Sequence, residues 1–315
     1  MITFNKRKNN ELHVSPDSFR KAVKENHASE GIERESISAM KDAWLRLRSN
    51  WSAMTGLVIL ILLVLMAVIG PLLTPHDYYS NNLEKTNLAP SADHWFGTDD
   101  LGRDMFSRTW MGARISLLVG FTAAAINLVI GVIYGGIMGY VGGRIGEAMN
   151  KFSEIIYSVP DLLVAIMLVV VFEPSIMTII LALCFTGWIN MAWIVRGQMM
   201  QLKNQEFVLA SRSLGAGAPR ILFRHLIPNT LGPIIVTLTL AIPSAIFSEA
   251  MLSFLGLGVQ VPAASWGMMI SDALKAMTIY PWRMLFPAIL ISLTMLSFNM
   301  LGDGLRDAFD PKMKR

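Results

Sequence analysis

Apolar residues in this chain fall in long blocks rather than alternating with polar ones. The first block is TGLVILILLVLMAVIGPLL, and no charge falls between Arg48 and Asp77. That is enough to cross ~30 Å of hydrocarbon as a helix. Five more blocks follow. Ile115–Val141 is uncharged and rich in glycine. Ile155–Phe172 is interrupted near its start by Pro160 and Asp161, the latter read as a helix cap. Ile176–Val195, Gly232–Leu255 and Met284–Leu301 complete the set. Polar stretches separate them: residues 74–114, 142–154, a tight EPS turn, 196–231 and 256–283. The pattern predicts an all-α polytopic membrane protein with six transmembrane helices.

Residues 1–50 are polar and mixed in charge, and read as a cytoplasmic tail. Near their end Ile37, Met40, Trp44, Leu47 and Trp51 recur at helical spacing among Lys41, Asp42, Arg46 and Arg48. This predicts an interfacial amphipathic helix near 37–51. The first apolar block is too long and too far in for a cleaved signal, so it reads as a retained anchor. Residues 51–315 form the transmembrane domain.

Composition agrees. The chain is 53% hydrophobic and only 16% charged, against roughly 25% charged in soluble domains. The net charge of +4 raises the question of a nucleic-acid partner, but charge placement answers it. With both termini inside, 21 of the 27 Lys and Arg lie on the cytoplasmic side and 6 outside. Leaving out the tail, the split is 11 to 6. The excess sets an N-in, C-in topology and needs no nucleic acid. Cys184 stands alone, which excludes an internal disulfide or a cysteine metal cage. No GxxxxGK[ST] phosphate loop occurs.

Within the spans, Gly131, Gly135, Gly139 and Gly143 form a four-residue ladder. The first three mark a helix-packing face that a neighbouring backbone can approach closely. Such a face is either a seam that moves during transport or static packing. Glu249 is the one carboxylate well inside a span. Together with Ser253 it is a candidate for the translocation path or a gate; the alternative is a bond to a neighbouring helix. In the first outer loop, His94, Asp99, Asp100 and Asp104 fit neither an EF-hand nor a zinc spacing. GTDDLGRD reads instead as a tight turn with Arg103 paired to its carboxylates, and no metal site is expected. Trp266, Tyr280 and Trp282 read as an aromatic belt.

The segment EFVLASRSLGAGAPRILFRHLIPN, Glu206–Asn229, is a polar elbow between two spans. Phe207, Ala210, Ser211 and Leu214 can share one helix face. Gly215 then stops the helix as a C′ glycine, and Ala216 and Gly217 follow. Pro219 suits the first turn of a second, basic helix with Arg220, Arg224 and His225. Pro228 ends or kinks it. A short helix held between two hinged connections presents a plug for another protein's groove.

This segment resembles the EAA loop of ABC importer permeases. Ala210 and Ser211 stand at the small positions, Gly215 at the glycine, and HLIPN at the end. Leu209 stands where the motif is acidic. HWFGTDDLGRDMFSRTWMGARISL, SFLGLGVQVPAASWGMMISDA and GDGLRDAFDPK resemble one branch, the oligopeptide, dipeptide and nickel importer permeases, and within it the C-type subunit. The resemblance covers Ser52 to the end.

It implies a type I ABC importer permease architecture in the bacterial cell membrane. The elbow helix would be a coupling helix, its ATPase contact carried by Phe207, Ala210, Ser211, Leu214, Gly215, Ala216 and Arg220. The implied partners are a homologous second permease, two cytoplasmic ATPases that hold ATP and Mg, and an extracytoplasmic peptide-binding protein. This chain would bind no cofactor and catalyse nothing itself. Oligopeptides are the implied substrate, with dipeptides or nickel complexes as the alternative. An ion-driven secondary transporter would have to rest on Glu249 and Asp161. A membrane scaffold that only recruits a cytoplasmic protein is the third reading.

Overall fold

The computed structural model describes residues 39–260 and 262–309. Helix α1 spans Ala39–Ser49 and α2 Trp51–Ile69. A loop-rich segment leads to α3, Met105–Val141. Then come α4 (Gly143–Tyr157), α5 (Asp161–Phe172), α6 (Ile176–Leu202) and α7 (Glu206–Ser213). Short α8 (Ala218–Arg220), a π-helical turn at Ile221–Leu226 and α9 (Ile227–Asn229) lead into α10 (Leu231–Phe254). α11 (Trp266–Leu274) and α12 (Trp282–Phe309) follow. Among the described residues the sole β feature is an isolated bridge between Thr98 and Asp104.

Five of these helices, α2 with its final turn, α3, α6, α10 and α12, are long and apolar enough to cross a membrane. The sixth predicted span differs from a straight rod. α4 and α5 meet at 73°. Pro160 lacks the N–H a continuous helix needs, and it pushes Val159 out of the helical region. Asp161 does not cap α5. Its carboxylate accepts a hydrogen bond from Thr186 Oγ1 at 2.5 Å and ties α5 to α6.

Side-chain caps set several boundaries that hydropathy misplaces. Asp104 accepts from Ser107 N at 2.8 Å, so α3 starts ten residues before the apolar block. At 37 residues it is about 55 Å long. Asn50, Ser175 and Ser265 cap α2, α6 and α11 in the same way. α6 runs on to Leu202, and α12 to Phe309 rather than Leu301.

The glycine face of α3 lies on α6. A methyl group at Gly131 would come within 2.6 Å of Met191 Cβ, and one at Gly139 within 2.6 Å of Met199 Cβ. At Gly135 it would collide with the Ala192 backbone. Gly143 does not join this ladder. It opens α4 with φ +54°, after Gly142 at φ +61°, and the pair turns the chain.

A second seam joins α3, α10 and the start of α11. Glu249 is fully buried. Ser116 Oγ donates to its Oε2 at 2.8 Å and Ser253 Oγ to its Oε1 at 2.7 Å. Ser265 Oγ donates to Ser253 Oγ at 3.2 Å, and Trp266 N to Ser116 Oγ at 3.3 Å. Trp266 is not part of an aromatic belt. It is fully enclosed, with its indole N–H on Thr109 O at 3.0 Å.

The bundle has two distinct ends. Gly304 against Ala53, Gly232 against Phe309 and Lys203 Nζ on Gly139 O gather the starts of α2 and α10 with the ends of α3, α6 and α12. α1 lies there too, with Ala43 and Leu47 packed on Ala308. Its predicted stripe is split. Leu47 faces in, Trp44 and Trp51 face out, and Ile37 lies outside the described residues. At the opposite end, residues 74–104 and α11 form a cap.

Two substitutions test these seams. Gly135→Val should overpack the α3–α6 contact and cost about 1–3 kcal/mol. Gly197→Ala on the same pair of helices meets nothing within 4 Å and should leave the thermal unfolding midpoint in detergent unchanged. Glu249→Ala, which strips Ser116 and Ser253 of their acceptor, should cost at least about 1–3 kcal/mol. Glu249→Gln, which keeps an acceptor oxygen, should unfold at a higher temperature than the alanine variant.

Candidate functional site

The elbow is built from α7 outward. Its N-terminal turn carries Glu206 and its last turn Arg212, both favourable to the helix dipole. It ends in a Schellman motif: Ala216 N donates to Ser211 O and Gly215 N to Arg212 O, each at 3.0 Å. Gly215, at φ +83°, takes the left-handed conformation that this stop requires.

One side chain anchors the helix. Val208 is fully buried among Val195, Met199, Ile221, Leu222 and Leu226. The face singled out from the sequence points away. Phe207, Ala210 and Leu214 are exposed, Leu214 at 88%. Ser211 is half-buried and bonds Phe207 O at 2.8 Å. Ala216 is half-buried and Arg220 exposed. Lys203 Nζ, 3.0 Å from Gly139 O, ties the start of the elbow to the end of α3. Arg196 lies inside α6, six residues before its end, and pairs with Glu147 of α4 at 2.5 Å. Val208 was not singled out from the sequence. It lies opposite the Phe207–Ala210–Leu214 stripe, which was the signal for it.

Between α3, α5, α6 and α10 lies a cavity of about 510 Å³. Its wall mixes apolar side chains with Asn127, Asp161, Thr186, Asn190, Ser244 and Ser248. Glu249 and Ser253 are not in that wall, because both turn into the seam with α3. The residues that do line it were legible as a pattern. On α10, Thr237, Ala241, Ser244 and Ser248 recur at steps of four, three and four, which puts them on one helix face. A volume of this size with a few polar groups suits a small organic solute.

The cap closes the far end. In GTDDLGRD, Asp99 accepts from Leu101 N and Arg103 N at 2.9 Å and from Arg103 Nε at 2.6 Å. That is the turn the sequence predicts. Arg108 Nε adds to Asp99 at 3.5 Å, and Arg283 reaches Asp100 at 3.0 Å from the start of α12. Asp99 and Asp100 are thus bound to arginines, while His94 and Asp104 bond each other at 2.9 Å. Arg114 closes the end of α2 by donating to Ala67 O at 2.5 Å and Val68 O at 2.7 Å.

Known proteins with this sequence pattern are numerous. The chain is 54% identical over 303 residues to the oligopeptide transport system permease protein OppC of Bacillus subtilis, covering 96% of this chain and 99% of that one. It is 56% identical over 291 residues to the dipeptide transport system permease protein DppC of the same organism, covering 92% and 91%. Its fold is similar to that of a chain from the MetNI methionine ABC transporter, solved in inward-facing conformations. The TM-score is 0.54 at 16% identity, over 64% of this chain and 97% of that one. Residues 128–315 match the family described as binding-protein-dependent transport system inner membrane component. Residues 38–90 match the N-terminal transmembrane domain of oligopeptide transport permease C. With helices, cavity and elbow arranged as above, the chain belongs to the binding-protein-dependent transport system inner membrane components, in the branch that carries the N-terminal domain of oligopeptide permease C.

Proposed function

We propose that this chain is a transmembrane permease subunit of an ATP-driven importer of oligopeptides, multi-pass in the bacterial inner membrane. The observation that carries the mechanism is the elbow. α7 is anchored by one buried valine, stopped by a left-handed glycine, and turns an apolar face outward. A rigid helix displayed in this way transmits force only if another body holds it. We assign that body to a cytoplasmic ATPase subunit. This places the elbow, α1 and the end of α12 inside, in line with the distribution of Lys and Arg.

In the assembled importer two ATPases hold ATP and Mg, and this chain supplies no nucleotide site of its own. A homologous second permease completes the path, with the cavity between α3, α5, α6 and α10 as this chain's half. An extracytoplasmic binding protein delivers peptide at the cap. Closure of the ATPases on ATP moves α7. Lys203 on Gly139 and the packing around Val208 carry that motion into α3, α6 and α10 as a rigid-body shift. The polar groups of the cavity wall are uncharged apart from Asp161, which suits varied peptide backbones better than one charged ligand. The ion-driven reading loses support, since Glu249 is sealed in a packing seam and Asp161 is bonded to Thr186.

Placing a charge on the outer face of α7 tests the proposal. Ala210→Arg combined with Leu214→Asp should leave expression and membrane insertion normal. Peptide uptake should fall on the order of 10-fold or more, as when an interface anchor is lost, and substrate-stimulated ATP hydrolysis in the reconstituted complex should drop to its basal rate. Normal uptake by this variant, or wild-type uptake that survives ATP depletion, contradicts the assignment. Competition of labelled tetrapeptide uptake by dipeptides and by nickel chelates reads the substrate class directly.

A further inference from the structure

Away from the elbow and the cavity, the cap brings together His76, Asp93 and His94. One donor atom from each lies within 4.8 Å of the others. His76 Nε2 is 3.5 Å from Asp93 Oδ1, and His94 Nε2 is 3.5 Å from Asp93 Oδ2. The two imidazoles stack with centroids 4.3 Å apart. Four tetrahedral ligands on bonds of about 2.0–2.1 Å sit roughly 3.3 Å from one another, so these separations are nearly those of a metal's inner ligands.

The orientation of His94 is the second, independent observation. Its Nδ1 lies 2.9 Å from Asp104 Oδ1. The Asp104 carboxylate also accepts Ser107 N at the start of α3, so Asp104 is an acceptor and His94 Nδ1 the donor. In a neutral imidazole this leaves Nε2 with a bare lone pair. That nitrogen is buried and has no hydrogen-bond partner, on a residue only 4% exposed. A histidine fixed by a carboxylate behind it, with its other nitrogen free and 3.5 Å from a second carboxylate, is the arrangement of a metal ligand with its outer shell in place; His76, stacked on the His94 ring face, turns out of the stack to bring its Nε2 onto the same ion.

We propose that His76, Asp93 and His94 form a three-residue site for a divalent ion of the zinc class. Two imidazoles and one carboxylate favour Zn²⁺ over Mg²⁺ or Ca²⁺, which take all-oxygen sets. A fourth position is left for water. Asp93 is largely exposed, which gives the ion access from solvent. Two groups compete with it. Lys85 Nζ lies 3.0 Å from Asp93 Oδ2, and its hydrogen bond holds the Asp93 carboxyl below the usual carboxylate range. His76 Nε2 also lies 3.1 Å from Asp93 O. Metal binding displaces both. The ion ties the segment after α2, which carries His76, to the segment before α3, which carries Asp93 and His94. His76 O already accepts Ser107 Oγ at 2.7 Å, so the site staples the cap to the first turn of α3.

The test uses the full-length chain in detergent, without a polyhistidine tag and stripped with EDTA. Co²⁺ titration should reach one ion per chain with the visible absorption of a four-coordinate site, and Zn²⁺ should displace it. His76→Ala and Asp93→Ala should each weaken Zn²⁺ binding at least ~10-fold and abolish the Zn²⁺-dependent rise in unfolding temperature. Both side chains are partly exposed, and the unfolding midpoint without metal checks the fold. Should either variant fail to unfold cooperatively, Zn²⁺ protection of His76 and His94 from diethyl pyrocarbonate in the wild-type chain reads the same site. Sub-stoichiometric binding, an affinity unchanged in both variants, or labelling indifferent to Zn²⁺ overturns the proposal.

Discussion

The approach of α3 to α6 across Gly131, Gly135 and Gly139 is the contact on which both ends of the molecule depend. In lipid no hydrophobic force draws helices together, so packing and polar bonds decide which pairs stay. α3 is the element that runs from cap to elbow. Its first residue follows Asp104, which His94 holds, and its last turn receives Lys203. Because glycines bring the α6 backbone against it, the two helices form one closely packed pair.

Polar groups inside the bundle have two fates. Glu249, Ser116, Ser253 and Ser265 satisfy one another and seat the buried Trp266, so they serve cohesion. Asn127, Asn190, Ser244 and Ser248 face a cavity and stay available to a solute. The two sets are adjacent on α10. Ser248 and Glu249 are consecutive, and a step of one residue on a helix turns about 100°. The same few turns of α10 thus hold the bundle together on one face and line the cavity on the other.

Much of this was legible in the sequence where the cause is local. GxxxG spacing marks close packing, a glycine after a short apolar stripe marks a helix stop, and Pro160 marks an interruption. All three stand in the structure, although Pro160 turns the predicted third span into two helices meeting at 73°. What hydropathy hid were positions where a polar side chain finds a distant partner. Ser107, Arg108 and Arg114 look like loop residues but belong to α3, because the cap and the end of α2 satisfy them. Glu249 looks like a pathway residue until Ser116, 133 positions away, is placed beside it. The grouping of His76 with Asp93 and His94 is hidden for the same reason, since 17 positions separate His76 from Asp93.

The π-helical turn at Ile221–Leu226 carries a wider consequence. There the N–H of Ile227 reaches Leu222 O, five residues back, so the turn holds one residue more than an α-helix would. It sits just before Pro228, whose ring would otherwise crowd the carbonyl four positions earlier. That surplus residue sets the azimuth of everything downstream. Removing it and restoring regular winding would rotate α10 by about 100°, carrying Ser244 and Ser248 out of the cavity and Glu249 out of its seam. The elbow is therefore also the phase marker of the helix it feeds.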